Sequence, residues 1–273
     1  MTDAVRDLAE RLKDITEDAE FEAREIVREY CGNVLPFGEI SEPQFARCTD
    51  AVKRRIGGEP LQYIFGHWEF YGLDFTIGEG VLIPRADTET VTELVIRHLK
   101  QHGGEYVDLC AGSGCIGIAS AIYGNCRGYC VELSDVAAKY CAENIQKHKL
   151  NDRLTLIQGD IFDKAIIDRF ADGSLTVVVS NPPYVTKEEM DKLQREVRRE
   201  PSLALYGGED GLDYYRRIFS AWKAKLKDGG LFAVETGDGQ AQAVCELMRA
   251  EGFAPTVYKD LAGLDRAVAG LMR

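Results

Sequence analysis

The sequence predicts an α/β fold, a doubly wound parallel sheet with helices on both faces, preceded by a small helical module. Three observations carry that prediction. From Glu105 onward, short apolar runs alternate with helical patterns, the signature of a parallel sheet. Gly112, Gly114 and Gly117 form G-x-G-x-x-G between an apolar run and a helical stretch. The β-branched run Thr176-Val177-Val178-Val179-Ser180 ends in Asn181-Pro182-Pro183-Tyr184, so a buried strand delivers a rigid polar corner where open α/β sheets bind ligands.

In chain order, residues 3–30 read as a helix, with Val5, Leu8, Leu12 and Ile15 at spacings of three and four and Gly32 as its stop. A second helix is expected from Glu42 to Ile56, with Ser41 as N-cap, Pro43 at the first position and Gly57-Gly58 at the end. Between Gly66 and Pro84 the period becomes extended, with aromatic and β-branched residues punctuated by Gly72, Gly78 and Gly80, as in a hairpin. Asp87 or Thr88 then stands ready to cap the next helix. Strands are expected at Tyr106 to Leu109, Gly128 to Val131, Leu154 to Ile157, Thr176 to Ser180, Leu231 to Glu235, Thr256 to Lys259 and Ala267 to Leu271. A helix is expected from Leu212 to Leu226, ended by Gly229-Gly230.

Composition narrows the function. The chain of 273 residues is 45% hydrophobic and 29% charged, ordinary globular values that suit one large domain or a catalytic domain with a small accessory one. The N-terminal thirty residues lack a basic region followed by an apolar one, and no later segment approaches about 18 uninterrupted apolar residues, so a soluble cytoplasmic protein is expected. A net charge of -12 argues against a generic nucleic-acid binder. Arg195, Arg198 and Arg199 read as a solvated helix face. There are eight cysteines; the pairs Cys110 with Cys115 and Cys126 with Cys130 have no His nearby and read as reduced, buried small hydrophobes, and no metal is expected.

The glycine loop lets a nucleoside cofactor approach a helix N-terminus. Glu132, twenty residues beyond Gly112 and closing the next strand, can bind both hydroxyls of a ribose. Asp108 favours a cationic group nearby and is unwelcome beside a pyrophosphate, which prefers S-adenosylmethionine to a nicotinamide dinucleotide. Gly159-Asp160-Ile161-Phe162, after the third strand, offers a carboxylate and an apolar wall for adenine. At the corner, Pro182 and Pro183 have no N–H to donate, which leaves the Asn181 side-chain oxygen and the Pro182 carbonyl as fixed acceptors. Two such acceptors match the hydrogens of a planar –NH₂ group, with Tyr184 against its flat face. The chemistry this suits is methylation of a delocalised nitrogen, where alignment matters more than a strong base.

Asn181-Pro182-Pro183-Tyr184 with the glycine loop resembles the class I S-adenosylmethionine-dependent amino methyltransferases, which include adenine-N6 DNA enzymes and glutamine-N5 protein enzymes. The segments Gly58 to Ile64, Ile83 to Glu89, Glu200 to Leu205, Gly207-Gly208, Asp210 to Leu212 and Tyr215-Arg216, with the early Ala19 to Ala23 stretch, resemble the HemK/PrmC family of peptide-chain release factor glutamine methyltransferases. That resemblance implies a Rossmann-like, seven-stranded methyltransferase domain at 86–273, a helical substrate-recognition domain at 1–65 and a β-hairpin linker at 66–85. It implies methylation of the N5 nitrogen of glutamine in the Gly-Gly-Gln motif of peptide chain release factors, with S-adenosyl-L-methionine as donor and S-adenosyl-L-homocysteine as product. By position, Cys110, Ala111, Gly112, Ser113, Gly114, Glu132, Asp160, Ile161 and Asn181 line the cofactor site, with Asp108 beside it, and Asn181 to Tyr184 receive the glutamine. Glu132 stands where the family often has Asp, and Ile161 where an aromatic is common. Arg85 and Glu89 either support the substrate entrance or pin the first catalytic-domain helix. The expected partner is a release factor, with no direct nucleic acid and no membrane, bound by a monomer. The competing readings are an adenine-N6 nucleic-acid methyltransferase, a silent cofactor-binding adaptor and a dinucleotide-binding oxidoreductase.

Overall fold

The computed structural model describes residues 3–32 and 40–272. Residues 1, 2, 33–39 and 273, which the expected domain ranges include, lie outside the described residues. Two compact units are present, Met1–His67 with Gln194–Arg199, and Trp68–Leu193 with Glu200–Arg273.

The first unit is helical, with α1 (Asp3–Leu12), α2 (Ala19–Cys31), α3 (Glu42–Ile56) and α4 (Leu61–Phe65). Val5, Leu8, Leu12, Ile26, Val27 and Val52 form its core. The single helix expected over 3–30 is therefore broken. The Ile15 and Thr16 amides both donate to the Leu12 carbonyl, at 2.8 and 3.1 Å, and the Thr16 hydroxyl accepts from the Asp18 amide at 3.1 Å. A threonine side chain that satisfies the backbone locally competes with continued helix. At α3, Gln44 Oε1 accepts from the Ser41 amide at 3.0 Å, closing the reciprocal cap, and Pro43 lies in the first turn.

Residues 194–199, expected within the catalytic domain, group with this helical unit. Arg195 donates to the Ile56 and Gly57 carbonyls at 3.0 and 3.2 Å, and Arg199 to the Gly57 carbonyl at 3.4 Å. These cations meet the carbonyl end of α3, where the helix dipole favours positive charge. Arg55 is buried between Glu22, at 2.9 Å, and Glu196, at 3.0 Å. Arg195, Arg198 and Arg199 are exposed as expected, but not on a helix face: Arg195 lies outside any helix and Arg198 and Arg199 in a 3-10 turn, Val197–Arg199.

The second unit begins at Trp68, within a hairpin of β1 (His67–Phe70) and β2 (Leu73–Thr76). Its two turn residues, Tyr71 and Gly72, have φ of 53° and 73°, the left-handed pair that a two-residue hairpin requires. A tyrosine is costly there, and its backbone is held in compensation: the Tyr71 amide donates to Glu89 Oε1 at 2.9 Å, and the Tyr123 hydroxyl donates to the Tyr71 carbonyl at 3.1 Å. Residues 77–84, expected to be extended, are not strand. After a single 3-10 turn at Ala86–Thr88 the unit alternates α5 (Glu89–His102), β3 (Glu105–Leu109), α6 (Cys115–Tyr123), β4 (Arg127–Glu132), α7 (Asp135–Lys147), β5 (Leu154–Gln158), α8 (Lys164–Ile167) and β6 (Leu175–Ser180). There follow α9 (Lys187–Lys192), α10 (Ser202–Leu205), α11 (Asp213–Trp222), β7 (Leu226–Glu235), α12 (Ala241–Ala250), β8 (Ala254–Lys259) and β9 (Asp265–Leu271).

The seven strands lie in the order β5-β4-β3-β6-β7-β9-β8. All pairs are parallel except β7 with β9 and β9 with β8. The order reverses between β3 and β6, which is where an open α/β sheet leaves a crevice beyond the strand ends. One correction concerns the helix expected to reach Leu226. α11 ends at Trp222, whose indole N–H donates to the Ile161 carbonyl at 2.9 Å; a 3-10 turn continues over Lys223–Lys225, and Leu226 already belongs to β7. Gly229 and Gly230 do not end a helix, because the Gly229 amide and the Gly230 carbonyl pair with Met272 at 3.1 and 2.8 Å.

Neither Asp87 nor Thr88 caps α5 through its side chain. Asp87 faces Arg266 at 3.4 Å. Asp108, near the end of β3, is 1% exposed, and its Oδ2 accepts from the Gly117 amide in α6 at 2.9 Å while Oδ1 has no hydrogen-bond partner among the described residues. Burial, with Glu132 nearby and against the Gly117 hydrogen bond, raises its pKa from 3.8 to about 8. Close approach also fixes Gly128, since a Cβ there would stand 2.2 Å from Tyr106 Cζ, in a ring whose hydroxyl donates to the Gly117 carbonyl at 2.6 Å. Among the described residues no helix is long and apolar enough to cross a membrane.

Two outcomes test this packing. Gly128→Ala must displace the Tyr106 ring, and urea unfolding should show a loss of about 1–3 kcal/mol, as for other overpacked cores. Because the folded chain holds one more proton on Asp108 than the unfolded chain between pH 3.8 and about 8, its contribution to stability is full below that window and falls as pH rises through it. Asp108→Asn should flatten that decline in denaturation midpoints measured from pH 4 to pH 8, and an unchanged slope would exclude Asp108 as its source.

Candidate functional site

A cavity of about 820 Å³ opens at the carboxyl ends of β3, β4, β5 and β6. Its size falls within the range of sites for nucleoside-sized ligands. The loop after β3 forms one side. Cys110 adopts φ of 61° and Gly112 of 57°, and no atom lies within 4 Å of the position a Gly112 Cβ would occupy. Glu132 closes β4 with its carboxylate fixed by two backbone donors, Gly112 N–H on Oε2 and Ser134 N–H on Oε1, both at 2.7 Å. Burial raises its pKa above the ordinary carboxylate value, against those hydrogen bonds. After β5, Asp160 Oδ1 accepts from the Phe162 amide at 2.8 Å.

The corner after β6 is held from behind. Val185 N–H donates to the Leu205 carbonyl at 2.8 Å, Gly207 N–H donates to the Val185 carbonyl at 2.9 Å, and the Gln240 amide donates to the Tyr184 carbonyl at 2.8 Å. A Cβ on Gly207 would meet the Pro183 carbonyl at 2.6 Å, and one on Gly211 the Tyr184 carbonyl at 2.2 Å. The glycines noted in sequence at 207 and 211 are thus the surface against which the corner is pressed. Asn181 projects to the cavity wall, where its Nδ2 donates to the Thr88 hydroxyl at 3.3 Å.

Of the residues singled out in sequence, Cys110, Ala111, Gly112, Ser113, Glu132, Asp160, Ile161, Asn181 and Pro183 line this cavity. Asp108, Gly114, Pro182 and Tyr184 do not. Tyr184 turns away because its hydroxyl donates to Glu235 Oε1 at 3.2 Å, so its ring does not lie open against a guest. Cys110 and Cys126 are partly exposed, whereas Cys115 and Cys130 are buried. Arg85 lies on the wall and pairs with Glu200, while Glu89 serves the hairpin turn. Phe162, part of the apolar wall expected after the third strand, also lines the cavity, whereas sequence reasoning did not place Thr88, Tyr214 or Arg217 there. Arg217 covers the Phe162 ring at 3.8 Å, and Phe162 meets Tyr214 at 5.8 Å. The spacing of Tyr214 and Arg217 by three places both on one face of α11, a signal that needs the helix direction to be read.

The residues present suit S-adenosylmethionine. Glu132 retains lone pairs for ribose hydroxyls, since a carboxylate accepts at about four sites and two are engaged. Backbone at Gly112 is open to close approach.

Comparison with known proteins agrees with this geometry. The description "PrmC N-terminal domain" matches residues 3–66 and "Methyltransferase small domain" matches residues 73–203. A release factor glutamine methyltransferase from Clostridium acetobutylicum is 41% identical, over 84% of this chain and 81% of its own length. The protein so named in Geobacter sulfurreducens is 40% identical, over 85% of this chain and 80% of its own. Among solved structures, a methyltransferase from Pyrococcus furiosus superposes with a TM-score of 0.56 at 15% identity, over 82% of this chain and 98% of that one, a likeness of fold. At 41% and 40% identity over most of both chains, the protein belongs to the release factor glutamine methyltransferase family.

Proposed function

We propose that the protein methylates the side-chain N5 nitrogen of the glutamine in the Gly-Gly-Gln motif of peptide chain release factors, with Asn181 receiving that nitrogen. It is an S-adenosylmethionine-dependent methyltransferase. The observation that carries the assignment of Asn181 is its place on the wall of the cavity, at the end of a strand whose following backbone is clamped.

Bound S-adenosylmethionine supplies an already activated methyl group. The chain's own residues hold and orient. Glu132 and the backbone at Gly112 take the ribose end, and Asp160 with Ile161 takes adenine, where the neighbouring Phe162 and Arg217 offer the flat surface that an aliphatic residue at 161 lacks. Asn181 Oδ1 accepts an N–H of the glutamine amide; the Pro182 carbonyl, the second acceptor expected from the sequence, does not line the cavity. A fixed acceptor aims the nitrogen and stabilises positive charge as it develops there, so no strong base is required. In this arrangement Tyr184 acts through its hydrogen bond to Glu235. The fixed contacts of the Val185 and Gly207 backbone keep the Asn181 acceptor from relaxing away.

Labelled S-adenosylmethionine incubated with an unmethylated release factor, with its Gln→Ala loop variant and with DNA should label the first alone. Label on DNA, or on the Gln→Ala variant, would refute the assignment. Asn181→Ala should lower kcat by an amount equivalent to about 2–4 kcal/mol of transition-state stabilisation, with S-adenosylhomocysteine affinity little changed. Near-normal turnover in that variant would remove Asn181 from the reaction.

A further inference from the structure

An asparagine carboxamide can present either end, and only its oxygen suits a substrate –NH₂ group. If its nitrogen faced the cavity, two sets of donors would oppose each other. What decides the orientation is the partner that takes the other end of the carboxamide. Its Nδ2 donates to the Thr88 hydroxyl at 3.3 Å, so Thr88 acts as acceptor there and must send its single proton elsewhere. Facing Thr88 is Glu235, the last residue of β7 and 1% exposed. A carboxylate can only accept. Oε1 already takes the Tyr184 hydroxyl at 3.2 Å, and Oε2 makes no hydrogen bond of normal geometry among the described residues. The backbone carbonyl of Glu235 is fixed too, by the Tyr215 hydroxyl at 2.7 Å.

We propose that Thr88 and Glu235 are positioning residues that set the Asn181 carboxamide with its oxygen toward the substrate nitrogen, a role that rests on the methyl-transfer reading above. Glu235 draws the Thr88 proton away from Asn181. Thr88, left as an acceptor on the cavity wall, then engages the amide nitrogen and leaves the amide oxygen to the substrate. No bond is made or broken in this arrangement; it sets only which lone pair meets the substrate.

The arrangement is sensitive to the charge on Glu235. Burial pushes its pKa up to about 7, against the Thr88 and Tyr184 hydroxyls and Arg266, while Asp87 raises it further. The groups facing it are therefore Thr88 and Asp87 before α5, Tyr184 after β6, Tyr215 on α11, Arg266 on β9 and, more remotely, Cys115 on α6. Protonated Glu235 has a proton to give, so Thr88 is free to turn its own toward Asn181 and reverse the amide. Methyl transfer should then decline as pH falls through about 7.

The test uses the full chain with an unmethylated release factor and three variants, Thr88→Val, Thr88→Ser and Glu235→Gln, with S-adenosylhomocysteine affinity measured by calorimetry for each. Thr88→Val should lower kcat roughly tenfold, the worth of about one well-placed hydrogen bond, and leave S-adenosylhomocysteine affinity within about twofold. Thr88→Ser should recover most of the loss, because it keeps the hydroxyl. Glu235→Gln should lower kcat at pH 8 and abolish the fall between pH 8 and pH 6 seen in the wild type. Wild-type kcat in Thr88→Val, a serine variant as impaired as the valine one, an acidic fall that persists in Glu235→Gln, or equal loss of S-adenosylhomocysteine binding in all three would each overturn the proposal while methyl transfer by the wild type stands. No methyl transfer by the wild type would remove it together with the reading beneath it.

Discussion

The backbone after β6 cannot move without opening several close contacts at once, and the cavity inherits its shape from that constraint. Pro182 and Pro183 cannot contribute backbone N–H donors, so ladder hydrogen bonding resumes only at Val185, in a single parallel bridge with Tyr206. Close contacts supply the rest. The Val185 exchange with Leu205 and Gly207, the Gln240 amide on the Tyr184 carbonyl, and two glycines whose lack of a side chain permits backbone contact all converge on this corner. This explains why a motif of four residues depends on a stretch more than twenty residues downstream. The chain from 201 to 213 is partly cavity wall and partly the buttress for Asn181.

That dependence marks what the sequence made legible. Strong local signals survived: the β-branched run of β6, the glycine loop before α6 and the capped helix α3 lie where their patterns place them, because propensity, burial and turn chemistry agree there. Tertiary contacts decided the rest. The break between α1 and α2 turns on one Thr16 hydroxyl, and Gly229-Gly230 belong to β7 because the final strand pairs with them. Arg195 and Arg199 look like surface charge in a linear reading, yet they satisfy the carbonyls that end α3.

The site was legible in composition more than in direction. Asp108 and Tyr184 have the chemistry expected of them, but each spends it on the scaffold. The Gly117 amide takes Asp108 away from the cavity, and Glu235 takes the Tyr184 hydroxyl. Gly117 lies nine residues on, in the glycine motif itself, and Glu235 fifty-one residues on, and no spacing rule reveals either exchange. Thr88 shows the converse. Its position before a helix suggests a cap, yet its hydroxyl is turned to Asn181, a partner 93 residues away.

Three carboxylates, Asp108, Glu132 and Glu235, stand at or near the ends of β3, β4 and β7, and burial raises the pKa of each. Each opposes folding when ionised, and apolar residues of similar size would disturb a sheet of this kind less. Their partners give a reason for retaining them. Asp108 holds the first turn of α6, Glu132 holds the backbone of the glycine loop at Gly112, and Glu235 collects the hydroxyl of Tyr184 beside Thr88. In each case a carboxyl oxygen that accepts a hydrogen bond fixes how a neighbouring group is oriented. A transfer that depends on alignment more than on a strong base gains most from fixed directions, and carboxyl groups on and behind the cavity wall supply them at some expense of stability.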